Sequence, residues 1–457
     1  MRSFLQIPRS DRYWLRGGRV PRSLLTDVSS SWTGDPRFQQ GLHGQEILAV
    51  DIEIQGDIIA RIQPVDGGAG DEQDIPFVNL QGGLVWPCFV DMHTHLDKGH
   101  IWPRSPNPDG TFMSALETVQ QDSTLRWQAE DVYRRATFGL KCSYAHGTQA
   151  IRTHLDAFDA QADVSFGVFR QLRQEWSDKI QLQAVCLVTL DYFLGAKGER
   201  LADLVAQSGG VLGGVAFMNA DIVRQIDRVF ELAQKRGLDL DFHTDESLEP
   251  GDIALRLVAE AAIRHGFEGR ITCGHCCSLS VQSAGDVEKT LAAVKAAGLS
   301  VVSLPMCNLY LQDRIASQQA NQPQNRTPRY RGVTLLKELK QAGVKCAIAS
   351  DNCRDPFYAY GDHDGLEVFT QSVRIAQLDH PIGDWPPAIT RTPAEMMGLS
   401  EVGEIGVGRS ADLVVFKARS FNELMARGQS DRVVIRKGKQ IDTTLPDYSE
   451  LDDLMQV

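Results

Sequence analysis

The chain has 457 residues, 42% hydrophobic and 23% charged, with 47 basic against 59 acidic side chains for a formal net charge of −12. That length supports two or three domains, or one large barrel with an addition. The acidic balance excludes a nucleic-acid backbone as the main partner, because phosphate binding calls for a basic face.

No apolar run approaches the ~20 residues that span a bilayer, so no membrane partner is expected. The start, "MRSFLQIPRSDRYW", lacks the continuous apolar core of a secretory signal, and a cytoplasmic location is expected. Nine cysteines at irregular spacings do not read as a disulfide framework. Cys273, Cys276 and Cys277 have no second CxxC to complete a thiolate metal site, so reduced, partly buried thiols are expected.

Residues 12–85 read as short strands broken by turns, with alternation through Ala49-Val50-Asp51-Ile52-Glu53-Ile54 and a turn at Gly56-Asp57. The C-terminal part repeats that texture in "GEIGVGRSADLVVFKA" and "RVVIRKGKQID". The two ends, residues 1–85 and 390–457, are expected to combine into one small β-sandwich domain.

Between them, over residues 86–389, apolar runs alternate with amphipathic helices, the pattern of parallel βα units. The runs are "GLVWPCFVD", "GTQAIRTHLD", "IQLQAVCLVT", "LGGVAFM", "LDLDFHTDE", "RITCGHCCS", "LSVVSLP" and "VKCAIASDN". Eight such units predict an α/β fold, a (β/α)8 TIM barrel. A doubly wound open sheet is the alternative, and it lacks the Gly-rich phosphate turn after the first strand. The polar segment from Arg314 to Arg331 carries four arginines, many amides and no acid, and reads as a lid or a solvated excursion.

Chemistry-bearing residues gather at the ends of these runs. His93 and His95 sit two apart, so they project to one side of a strand. His154 and Asp156 end the second run, His243 with Asp245 and Glu246 the fifth, His275 the sixth and Asp351 the eighth. In a (β/α)8 barrel those ends share one rim, where catalysis in this fold occurs.

Three histidines and a carboxylate suit Zn²⁺ or Fe²⁺ with a position open for water. His93, His95, His243 and Asp351 fit as ligands, and His275 fits as a further ligand or a proton-handling group. A bound divalent ion lowers the pKa of its water toward ~7. His154 and Asp156 read as hydrogen-bonding residues around the site.

These motifs resemble the amidohydrolase superfamily, and "HTHLDKG", "RTHLD", "HTDE", "GHCCSL" and "SDNCRDPFYAYGD" resemble its cytosine deaminase branch over roughly residues 12–440. The resemblance implies one divalent metal ion per chain, Zn or Fe, because no lysine that could bridge two metals stands in "VAFMNA". It implies that Glu246 handles protons at a ring nitrogen, that Asp351 takes a proton from the attacking water, and that His275 stabilises the developing alkoxide.

Relatives in that branch carry an amide side chain near the position of Thr189, some have a second acid where Asn352 stands, and some have tryptophan where Phe357 stands. Thr189, Asn352 and Phe357 are therefore the expected substrate contacts. The expected activity is hydrolytic release of ammonia from a nucleobase-like small molecule, cytosine to uracil or a related amino-heterocycle. The alternatives are a sibling hydrolase acting on a triazine N-alkylamine or a cyclic amide, and a non-catalytic binding protein on the same scaffold. A homo-oligomer is compatible with the sequence.

Overall fold

The structure is a computed structural model and describes residues 4–26, 47–65, 74–314 and 326–456. Part of the Arg314–Arg331 segment, residues 315–325, lies outside the described residues. The chain forms two compact units, one from residues 1–90, 143–150 and 364–445 and the other from 91–142, 151–363 and 446–457.

In the first unit, β1 (Arg12–Pro21), β2 (Ile47–Gln55), β3 (Ile58–Pro64) and β4 (Phe77–Asn79) form a sheet in the order β3-β2-β1-β4. Val50, Ile52 and Ile54 are fully buried along one face of β2, as period-two alternation requires. The β2–β3 turn passes through Gly56 at φ 62°, a conformation that favours glycine.

The expected first barrel run serves two sheets. β5 (Val85–Pro87) pairs antiparallel with residues 413–415, while β6 (Phe89–Thr94) begins only after Cys88. Pro87 has no N–H to continue a ladder, so the run can change partners there. Cys88 N then donates to Asp412 O at 3.0 Å, and Phe89 N to Gly147 O at 2.9 Å.

The barrel strands follow as β6, β7 (Thr148–Asp156), β8 (Gln181–Leu187), β9 (Leu212–Ala216), β10 (Leu240–Thr244), β11 (Ile271–His275), β12 (Ser300–Ser303) and β13 (Lys345–Ile348). Strands β6 to β8 are neighbours in order, and so are β9 to β13, which pair in parallel. Parallel bridges Val185↔Val211 and Thr94↔Asp351 join the two groups into a closed eight-strand (β/α)8 barrel.

The barrel strands are mostly buried because helices cover their outer side. The helix Ile222–Arg236, for example, buries Ile222, Ile226, Val229, Phe230 and Ala233 at helical spacing and stops at Gly237, φ 63°.

Further along the chain, β14 (Leu413–Val415), β15 (Val433–Arg436) and β16 (Lys439–Gln440) add to β5 in the order β16-β15-β14-β5. The small β-domain thus draws strands from both chain ends. Among the described residues no helix is long and apolar enough to cross a membrane. All nine cysteines are free and buried, including those expected to be only partly so.

Candidate active site

The carboxyl ends of the barrel strands place the candidate residues together in the second unit. His93 Nε2 lies 3.2 Å from His243 Nε2 and 3.5 Å from Asp351 Oδ1. His95 Nε2 lies 3.2 Å from the same carboxylate oxygen. Donor atoms of His93, His243, His275 and Asp351 all fall within 4.8 Å of one another.

Backbone geometry aims these groups. His275 and Asp351 have φ of 68° and 64°, left-handed conformations that cost a non-glycine residue energy and persist only where packing over-determines them. Asp351 N donates to His93 O at 2.8 Å, and Thr94 Oγ1 donates to Asp351 O at 2.8 Å, which locks the first strand end to the eighth. A Cβ at Gly274 would stand 3.0 Å from the His93 ring, so glycine leaves that ring its space.

The cluster fits a divalent ion. Burial, followed by the neighbouring histidines and cations, holds His93, His95 and His243 well below the usual imidazole range, so each offers a neutral lone pair. Burial alone pushes His275 down to about 3. Burial also raises the Asp351 carboxyl, a shift that a nearby cation reverses. The Nε2 atoms of His93 and His243 stand 3.2 Å apart, and those of His93 and His95 face Asp351 Oδ1 at 3.5 and 3.2 Å, a donor set suited to one ion.

Glu246 lies just beyond this group. Its Oε1 is 3.3 Å from His275 Nδ1 and accepts from Asn308 Nδ2 at 3.3 Å. Burial and the Asp351 charge push its pKa well above the usual carboxyl range. Its neighbour Asp245 has a different task, accepting from Ala254 N at 2.6 Å and Leu255 N at 3.0 Å at the start of the helix Ala254–His265.

The candidate group opens into a cavity of about 620 Å³, whose lining includes Thr189, Asn352 and Phe357. Phe357 is 8% exposed, with Lys98 Nζ 5.4 Å from its ring centre. The Asn352 amide is occupied internally, donating to Asp355 Oδ2 at 2.7 Å and accepting from Cys307 Sγ at 3.5 Å. Asp156, also on the cavity wall, accepts from Lys98 at 2.8 Å. His154 packs its ring 3.8 Å from that of His93, and neither of its nitrogens has a hydrogen-bond partner among the described residues.

Three features escaped the sequence. Asn308, on the helix Pro305–Leu311, touches both Glu246 and His275, and its only signal was one amide inside an apolar stretch. The Lys98–Asp156 pair was visible as residue types and not as a pair. The far cavity wall comes from the helix Phe112–Arg126, through Leu116, Val119 and Gln120, and from Trp127 beyond it.

Comparison with known proteins matches these observations. Residues 115–444 match the model of the amidohydrolase family. The chain is 46% identical over 454 residues to a pterin deaminase of Rhizobium rhizogenes, covering 99% of each protein. It is 25% identical to an N-isopropylammelide isopropyl amidohydrolase of Pseudomonas sp. (strain ADP), covering 86% of this chain and 93% of that one. In fold it resembles a 5-methylcytosine deaminase from Klebsiella pneumoniae, with a TM-score of 0.75 and 24% identity over 95% of this chain and 98% of the other. The chain belongs to the amidohydrolase family.

Proposed function

We propose that the protein is a metal-dependent hydrolytic deaminase that releases ammonia from an amino-substituted nitrogen heterocycle, with a pterin as the substrate. The carrying observation is the contact of a largely covered carboxyl group, Glu246, with His275 at 3.3 Å, next to Asp351 and in the lining of a cavity of about 620 Å³. The 46% identity to a pterin deaminase across both full lengths supports the choice of ring. Cytosine, the ring suggested by the motifs, is the single-ring alternative.

The chemistry needs a proton at a ring nitrogen, a nucleophilic water, and a proton on the departing amine. His93, His95, His243 and Asp351 would hold a divalent ion, zinc or iron, which when bound would supply the Lewis acidity that makes water nucleophilic at neutral pH. Asp351 accepts the proton that the attacking water sheds. Glu246, whose carboxyl burial shifts toward the protonated form, delivers a proton to the ring nitrogen next to the amino-bearing carbon. Asp351 then passes the water proton to the amino group, the C–N bond breaks and the amine leaves as ammonia, while the hydroxyl on the carbon returns its remaining proton to Glu246 and becomes a carbonyl.

Asn308 donates to His275 Nδ1, which leaves the neutral ring's proton on Nε2. From there His275 can donate to the oxygen developing on the attacked carbon. Phe357 offers a flat apolar face to the ring, and Lys98 with Asp156 offers an adjacent donor and acceptor for its polar edge.

The test is ammonia release from pterin, cytosine and an N-alkylamino-triazine by the purified protein. Pterin should give the highest kcat/KM. A higher value for cytosine would move the substrate to the pyrimidines, and release of an alkylamine from the triazine alone would favour the sibling chemistry. A metal-loaded protein that binds these rings without turnover would leave the binding-protein reading.

A further inference from the structure

We propose that His100, Cys353 and His363 form a second metal site, structural and suited to zinc, that shares no residue with the proposed catalytic centre. The three side chains come from the segment after β6 and from the segment after β13. They are 2%, 2% and 3% exposed, and their ligand atoms lie within 4.8 Å of one another. That is the relation that also joins His93, His243, His275 and Asp351.

Neither ring nitrogen of His100 has a hydrogen-bond partner among the described residues. A fully buried imidazole with two unmet polar atoms is a group that needs a ligand. Burial holds the ring neutral, the form that coordinates a metal. The rings of His100 and His363 are 5.4 Å apart and inclined at 51°, so their edges can converge on one point. Both residues take left-handed φ, 66° and 53°, which marks positions where the fold and not local preference sets the direction of the side chain.

Two imidazoles and one sulfur select a borderline or soft ion over magnesium or calcium. On binding, the Cys353 thiol loses its proton to solvent and its sulfur takes up the metal bond. Cys142 and Asp362 act on the Cys353 thiol electrostatically, and neither belongs to the group whose ligand atoms lie within 4.8 Å. The ion would clamp the segment carrying Phe357 to the segment after His95, and so hold the ring-facing wall of the cavity in place.

The test uses the full-length protein loaded with cobalt(II), followed by metal analysis and near-ultraviolet absorption. The proposed catalytic ligands are nitrogen and oxygen, so a sulfur-to-cobalt charge-transfer band reports a thiolate ligand. Cys307 lies beside Glu246 and Asp351, so Cys307→Ser is the control. The expected result is about two ions per chain in the parent protein, falling to about one in Cys353→Ser and in His100→Asn. The band should survive Cys307→Ser and vanish in Cys353→Ser. A folded, cobalt-loaded parent protein with no such band overturns the proposal even if Cys353→Ser fails to fold, and so does a band lost only in Cys307→Ser.

Discussion

The amide nitrogen of Asn308 lies 2.9 Å from Nδ1 of His275. That contact sets which ring nitrogen carries the proton, and the same amide reaches Glu246 Oε1 at 3.3 Å. Asn308→Leu keeps the volume and removes the donor. Steady-state kinetics should then show kcat lowered by ~10–100-fold, the usual cost of removing a group that orients a site histidine, with metal content unchanged. A parental kcat would mean that His275 needs no such orientation.

The candidate site was legible because a parallel barrel strand is short and apolar, so the polar residue that ends it stands out. His93, His95, His243, His275 and Asp351 each end such a run, and barrel closure makes neighbours of them. Asn308 was not legible, because its role depends on how a seven-residue helix turns after β12. Nor was Asp245, which shares the HTDE stretch with Glu246 yet is turned to a helix start. Residues 85–94 read as one apolar run, and only the pairing partners reveal two strands in two sheets. The cluster of His100, Cys353 and His363 joins positions far apart in the chain, and no local spacing marks it.

Adjacent acids should behave differently when changed. Asp245→Ala removes acceptors from two backbone N–H groups at the start of the helix Ala254–His265. It should cost about 1 kcal/mol of stability, read as a lower thermal unfolding midpoint, while bound metal is retained. Loss of the metal with no change in the midpoint would assign Asp245 to the site instead.

Phe357 faces the cavity with Lys98 near its ring and Phe112 5.5 Å away. If it supports a bound heterocycle, Phe357→Ala loses ~1 kcal/mol of ring contact beyond area burial, and KM should rise about fivefold. Phe357→Tyr should stay near the parent. Unchanged KM across a panel of rings would place the substrate elsewhere in the cavity.

Acid stability should depend on Asp364. Burial would raise its carboxyl, but the Arg432 guanidinium, bound to both oxygens at 2.6 Å, and His146 outweigh burial and lower the pKa to about 2. The unfolded carboxyl titrates near ~3.9. The folded value is the lower one, so the pair stabilises the fold fully above pH ~4 and loses that contribution as the pH falls toward 2. The contribution is on the order of 2 kcal/mol at neutral pH. Asp364→Asn should lower the midpoint at pH 7 and narrow the gap between variant and parent as the pH approaches 2. A gap independent of pH would show that the ion pair does not carry the effect.

The central claim is that Glu246 moves the proton in a metal-dependent deamination, and one comparison tests it most directly: ammonia release from pterin by the parent and by Glu246→Gln at matched metal content. Glutamine keeps the shape and the contact with Asn308 but cannot deliver a carboxyl proton. The account predicts the same bound metal, a similar KM, and a kcat lower by ~10²–10⁴-fold. A Glu246→Gln protein that deaminates pterin at the parental kcat would contradict it.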